Sequence, residues 1–356
     1  MRPTAALTVA LLALLAGLPR MAAAQAHPET FRVGPVTASQ GELASGFLEI
    51  APRPGDEGTR IPISVVHGVR PGPVLALVAG THGAEVAPIL ALQRLRARLD
   101  AGLLAGTLIL VHVANMPSFL RRTVYYSPVD GKNLNRVYPG RPDGTISERI
   151  AHAITTEVIE RADYLVDMHA GDGNESLRPY TYWNRLGLDA RADSVGREMA
   201  LAWGNDHIVI DTERPRDPAA SIYTQNTAHV RGKPAITTES GYLGLPAEEM
   251  IQRNEEGALR LMRWLGMIDG PREVVDAPVW IRPTEVLRSP ATGLWYRLVR
   301  RGQTVAAGAP LGYLTDFFGG NRRAVRSTLA GIVLYVVATP AMSQGEPVGM
   351  VGEVAR

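Results

Sequence analysis

No cysteine occurs anywhere in the chain. Disulfides, thiolate metal ligands, a cysteine nucleophile and a lipidated N-terminal cysteine are therefore all excluded. An excess of charge of one sign is also missing, with 37 Lys+Arg against 35 Asp+Glu. Two of the basic residues, Arg2 and Arg20, lie in the first 24 residues, and without them the balance is 35 against 35. A chain so balanced is not built to hold a polyanion, and no nucleic-acid partner is expected. Long apolar runs are lacking except for one, Ala5 to Leu18, which follows Met1-Arg2 and precedes Ala22-Ala23-Ala24. A short charged start, a brief apolar core and small residues at the end predict a secretory signal over residues 1–24, cleaved after Ala24 or Ala26. The expectation is an exported protein, periplasmic or secreted, with no membrane span after cleavage. The remainder, about 330 residues, is longer than a usual single domain.

Short apolar segments separated by Pro and Gly between Phe31 and Val69 have the pattern of hairpin strands. After the turn Arg70-Pro71-Gly72-Pro73, the run Val74 to Ala79 reads as a buried strand, and Ile89, Leu92, Leu95 and Leu99 recur at helical spacing. The arginines of that helix, Arg94, Arg96 and Arg98, read as a solvated face. Thr107 to Val113 is a second buried strand, and the stretch from Pro117 to Gly144 has no helix or strand period. Unstructured stretches of that length inside a domain are usually functional. Thr145-Ile146-Ser147-Glu148 is a capping box opening a helix. Strands follow at Tyr164 to His169, His207 to Ile210 and Ala235 to Thr238, with helices near Asp189 to Trp203 and Ala247 to Leu265. The predicted fold is α/β, with a mixed, largely parallel sheet flanked by helices.

Beyond residue 272 the texture changes to short Gly-punctuated apolar runs, so the expected division is a catalytic domain over 25–272 and an all-β domain over 273–356. The second contains a repeat: Ser289-Pro290-Ala291-Thr292-Gly293-Leu294 is echoed by Ser327-Thr328-Leu329-Ala330-Gly331-Ile332. It resembles the half-repeats of lipoyl and biotinyl carrier domains, small barrel-like sandwiches. The last lysine is Lys233, so no attached prosthetic group is expected.

The chemistry centres on Gly80-Thr81-His82-Gly83-Ala84-Glu85, which directly follows the strand Val74 to Ala79. A strand ending in a Gly-flanked turn presents its next side chains at the carboxyl edge of the sheet, where open α/β sheets place ligands. His82 and Glu85 can face one point there, as zinc ligands do at about 2.0 to 2.2 Å. His169 also ends a strand and supplies a third ligand, leaving a fourth position open to water in the manner of catalytic zinc. Glu239, at the end of Ile236-Thr237-Thr238-Glu239, is placed to move the protons that hydrolysis requires. In the irregular stretch, Asn135 and Arg136 are candidates for anchoring a substrate carboxylate, because a guanidinium fork matches it. Asp167 shares a strand face with His169, where it suits either orienting that imidazole or capping a loop. His112 and His152 read as structural.

Taken in order, GTHGAE, NMPSF, DGKNLNRVYPG, DMHAG and ITTESG resemble the succinylglutamate desuccinylase and aspartoacylase family, relatives of the zinc carboxypeptidases, over roughly residues 60 to 270. The resemblance implies that His82, Glu85 and His169 bind one zinc ion, that Glu239 is the general base, and that Asn135 and Arg136 hold the substrate carboxylate. It also implies an arginine polarising the scissile carbonyl, which here would be Arg122 or Arg121. Tyr180 and Tyr182 lie where a substrate-contacting tyrosine could sit, although aromatic packing accounts for either. The implied activity is hydrolysis of the amide of an N-acyl amino acid or related small carboxylate. Two rival readings are a zinc carboxypeptidase acting on peptides, cell-wall peptides included, and a non-catalytic zinc- or ligand-binding protein.

Overall fold

In the computed structural model the described residues are 27–355, so the expected signal segment and its cleavage points lie outside them. Among the described residues no helix is long and apolar enough to cross a membrane. The strand Arg70–Ala79 lies near the middle of a mixed sheet. Its Leu75, Leu77 and Ala79 enter one core with Leu92 and Leu95 of the helix Val86–Arg98. Its Ala76 and Val78 enter a second core with Ile146, Ile150 and Ile154 of the helix Ile146–Ile154. Successive strand side chains point to opposite faces, so a run with no polar residue is what a strand covered on both sides requires. The capping box is formed, with the Thr145 N–H donating to Glu148 Oε2 at 2.8 Å. The arginine face is solvated as expected, with Arg94 and Arg98 exposed, and each also reaches a carboxylate of the helix Glu248–Trp264, Glu248 and Glu255, at 2.6 Å.

Through the centre of the sheet the order is Ala105–Val111, Arg70–Ala79, Tyr164–His169 and Ala235–Glu239, each parallel to its neighbour. On one side the hairpin Glu42–Ile50 and Thr59–His67 adds antiparallel strands, and on the other Tyr180–Asn184 runs antiparallel to Ala235–Glu239. The expected mixed sheet is thus present, with a parallel centre and antiparallel strands on both sides. The cause is connection length: hairpins and the short return from His169 to Tyr180 leave no room for the crossover helix that a parallel neighbour needs. The stretch 117–144 is also less irregular than expected, because Asn115 caps a short helix, Met116–Arg121, by accepting from the Ser118 N–H at 3.3 Å.

The C-terminal strands divide between two sheets. Val279–Arg288 pairs in parallel with His207–Asp211 and carries Pro347–Val354, Gly331–Val337 and Thr304–Val305 onto the edge of the main sheet. Four further strands form a separate sheet, ordered Arg323–Arg326, Pro310–Thr315, Gly293–Arg297 and Ala341–Met342. A core containing Trp295, Leu311, Leu314, Val333 and Val351 lies among these strands. The sequence repeat has a structural counterpart. Ser289 Oγ accepts from the Ala291 N–H, and Ser327 Oγ accepts from the Leu329 N–H. At the matched glycines, Gly293 and Gly331, a Cβ would overlap a backbone carbonyl of the adjacent strand.

Candidate metal centre and active-site pocket

Register brings the chemistry together. Ala79 pairs with Met168, and Glu239 pairs with His169, so three neighbouring parallel strands end at one edge. At the end of the first, Gly80 takes φ +71°, a left-handed conformation that glycine adopts without strain, and the chain turns over that edge. Gly83 is packed so tightly that a Cβ there would overlap the Ser118 carbonyl. The turn holds His82 and Glu85 over His169.

One oxygen of Glu85 lies 2.6 Å from His82 Nδ1 and the other 2.8 Å from His169 Nδ1. Donor atoms of these three residues all lie within 4.8 Å of one another. The outer nitrogen of each imidazole is held from behind: His82 Nε2 lies 3.2 Å from Asn133 Oδ1, and His169 Nε2 lies 3.2 Å from Asp167 Oδ1. Asp167 is fully buried and neither of its oxygens has a well-aligned hydrogen bond. A carboxylate left so in the interior is accounted for if His169 turns its Nε2–H toward it, and in the neutral imidazole that leaves the Nδ1 lone pair for a metal. Two imidazoles, one carboxylate and an orienting carboxylate behind one of them are a donor set that fits zinc.

Electrostatics suit a bound positive charge at this point. Burial pushes the Glu85 carboxyl up, but His169 and His82 outweigh it and hold it at about 2. Burial pushes the two imidazoles down, and it is overcome at His82 by Glu85 and at His169 by Asp167 and Glu85, so both end above their ordinary value. Without a metal, protons supply the charge that a divalent cation would bring, and metal binding displaces such protons.

Glu239 faces the same space. It lines a cavity of about 650 Å³ together with His82, Glu85 and Arg136. Burial pushes its carboxyl well above the ordinary value; His169 opposes the rise, while Glu85, Glu175 and Asp167 add to it. Tyr180 and Tyr182 also line the cavity and pack edge to face, with centroids 5.2 Å apart. His112 sits apart from it, bonded to Ser64 Oγ at 2.8 Å.

Two expected residues are placed elsewhere. Asn135 is buried beneath His169, its Oδ1 accepting from the Thr224 N–H at 2.9 Å and its Nδ2 3.1 Å from His169 Nε2. It braces the imidazole, while Asn133 lines the cavity wall. Arg122 is exposed at the C-cap of Met116–Arg121 with φ +52°, and neither it nor Arg121 lines the cavity. The chain leaves that helix in a left-handed turn that directs the arginines to solvent. Tyr125 takes the wall position instead, its ring edge-on to His82 with centroids 6.2 Å apart.

Sequence reasoning missed Tyr125, Glu175, Arg214 and Tyr223. Glu175 accepts from the Tyr125 hydroxyl at 2.7 Å. Arg214 lies 4.0 Å above the Tyr223 ring and 2.5 Å from Asp211. These residues sit in segments with no period, where no local pattern marks them.

Residues 71–265 match the model of the succinylglutamate desuccinylase/aspartoacylase catalytic domain. The chain belongs to this family. An N-alpha-acetyl-L-2,4-diaminobutyric acid deacetylase from Halomonas elongata is 29% identical, covering 92% of this chain and 98% of that protein. Among solved structures, the product-bound ectoine utilization protein EutE (DoeB) from Ruegeria pomeroyi is 26% identical with a TM-score of 0.79, covering 90% of this chain and 100% of that one. A succinylglutamate desuccinylase/aspartoacylase from Rhodobacter sphaeroides is 25% identical with a TM-score of 0.77, covering 89% and 96%. These alignments extend beyond the matched catalytic segment, so the likeness to other members of the desuccinylase/aspartoacylase family includes most of the C-terminal strands as well.

Proposed function

We propose that this protein is a zinc-dependent amidohydrolase that removes the acyl group from a small N-acylated amino acid. The observation that supports it most is the convergence of His82, Glu85 and His169 within 4.8 Å, with Glu239 beside them in register and facing the same cavity. The deacetylase activity in the name of the Halomonas elongata relative supports the same reaction class.

His82, Glu85 and His169 would hold the zinc, which when bound supplies Lewis acidity that polarises the carbonyl and acidifies water. Asp167 and Asn133 keep the outer imidazole nitrogens fixed, so that the inner ones stay aimed at a common point. Glu239 takes a proton from the attacking water and passes it to the nitrogen of the leaving amine. Arg136, on the cavity wall with its guanidinium 4.7 Å from the centre of the Tyr223 ring, receives the substrate carboxylate. We further propose that the chain is exported by its N-terminal segment, and that residues 273–356 form a unit whose strands contribute to the pocket wall. The test is direct: purified protein assayed for metal should carry about one zinc per chain, and a panel of N-acyl amino acids should include substrates. Metal-loaded protein that hydrolyses no member of the panel would refute the proposal.

A further inference from the structure

In the separate four-stranded sheet, the hairpin that joins Pro310–Thr315 to Arg323–Arg326 carries two phenylalanines at its tip. Phe317 is 68% exposed and Phe318 98%. The turn is ordered by its own acid. Asp316 Oδ1 accepts from the backbone N–H groups of Phe318 and Gly320 at 3.0 and 2.8 Å, and Oδ2 accepts from the Asn321 side-chain amide at 2.7 Å. A fixed backbone thus holds two large apolar side chains in water, while the core beneath the sheet is filled by Trp295, Leu311 and Leu314. Contiguous exposed apolar surface of this kind marks a site of contact with something outside the chain.

Charge beside the tip says what that is. Residues 293–326 contain six arginines and no lysine, against the one acid Asp316, which the donors of its own turn occupy. A chain balanced overall therefore gathers positive charge around its exposed aromatics. Tyr296 pairs across the sheet with Tyr313, their rings stacked with centroids 5.0 Å apart, and the Arg322 guanidinium lies 3.4 Å from the centre of the Tyr313 ring. A second copy of the chain is a poor occupant, because a two-fold contact through this patch sets arginine against arginine. An acidic protein would need a pocket shaped to enclose a protruding tip. A bilayer interface needs none: it admits aromatic side chains at the headgroup level, and its anionic headgroups attract the guanidinium groups beside them.

We propose that this hairpin docks the protein on an anionic lipid surface, with Phe317 and Phe318 entering the interface and Arg322 and Arg323 meeting the headgroups. The experiment is co-sedimentation with vesicles of phosphatidylglycerol and phosphatidylcholine in equal parts, compared with vesicles of phosphatidylcholine alone. It uses residues 25–356, which include every described residue and omit the apolar run Ala5 to Leu18 that would itself partition into lipid. Wild type should pellet with the anionic vesicles about tenfold or more better than with the neutral ones, and rising salt should weaken that binding. Replacing both phenylalanines (Phe317→Ser with Phe318→Ser) should weaken binding about tenfold or more through lost apolar burial. The pair Arg322→Glu and Arg323→Glu should do the same through lost charge. All four side chains are exposed and none lines the catalytic cavity, so melting temperature should stay at the wild-type value. Should a double variant fail to fold, Phe318→Ser alone, at the most exposed position, makes the comparison. Wild type that stays in the supernatant with both vesicles overturns the proposal, as does anionic binding undiminished in the folded phenylalanine variants. Retention on soluble polyglutamate without vesicle binding also overturns it and points to an acidic protein. Self-association that the phenylalanine variants abolish, again without vesicle binding, overturns it in favour of a second copy.

Discussion

Replacing Glu239 by Gln keeps shape and removes only basicity, so it isolates the role assigned to that carboxylate. Glu239 is not among the donor atoms that converge on the metal position, and the variant should therefore bind as much zinc as wild type. Loss of a positioned general base costs about 10² to 10⁴ in kcat, or roughly 3 to 5 kcal/mol of barrier. KM should move little, because substrate anchoring is assigned to other groups. Stability supplies an independent readout. Burial raises this carboxyl above its ordinary 4.5 in the metal-free protein, so its favourable contribution is complete below about pH 4.5 and is lost as pH rises toward the folded-state value. Glutamine has no such loss. Metal-free Glu239→Gln should then melt above metal-free wild type at pH 7 to 8, the gap closing as the pH falls toward about 4.5. The assays are steady-state hydrolysis, elemental analysis and a calorimetric melt against pH. Retained hydrolysis within about threefold of wild type, or loss of zinc with the substitution, would refute the reasoning.

Asp167→Asn should weaken zinc binding by about 10- to 100-fold, measured by chelator competition, because it removes the acceptor behind His169. Arg122→Ala should leave kcat/KM within about twofold of wild type, since exposed side chains away from a site rarely contribute, whereas Arg136→Ala should raise KM by about tenfold or more. Gly83→Ala should destabilise the fold by about 1 to 3 kcal/mol and lower its melting temperature, because the added methyl meets the Ser118 backbone. The carboxyl of Glu175 lies at about 7 in the folded chain against an ordinary 4.5, a difference of roughly 3 kcal/mol. That contribution is intact below about pH 4.5 and lost as pH rises through about 7, so metal-free Glu175→Gln should gain stability relative to wild type across that interval.

The centre of the fold was legible because its signals are local. A continuously apolar strand, a Gly-flanked turn and a histidine or carboxylate immediately after it occur in Val74 to Glu85, Tyr164 to His169 and Ile236 to Glu239, and parallel register then aligns the ends. The capping box at Thr145 and the repeat beginning at Ser289 are equally local. Sheet direction was not legible at Tyr180–Asn184, since pairing partners are set by tertiary packing. The orientations of Arg122 and Asn135 were not legible for a related reason. Which way a loop side chain points depends on backbone turns, such as the left-handed residue at Arg122, that leave no trace in hydropathy. Glu175 was invisible because its environment is assembled from Tyr125 and Asp172 as well as from the strand Gly331–Val337, far apart in the chain.

The pairing of Val337 with Glu175, reinforced by the Ala338 N–H donating to the Asn174 carbonyl at 2.8 Å, has a practical corollary for anyone dissecting this protein. A fragment ending where the family match stops, at residue 265, would lose Tyr335 and Met350 from the cavity wall and unclip the short strand that carries Glu175. Such a fragment would retain every metal ligand and still be a poor catalyst. Chimaeras that exchange only the last eighty or so residues between relatives would, by the same logic, exchange one wall of the cavity while leaving Glu239 and the three converging donors untouched.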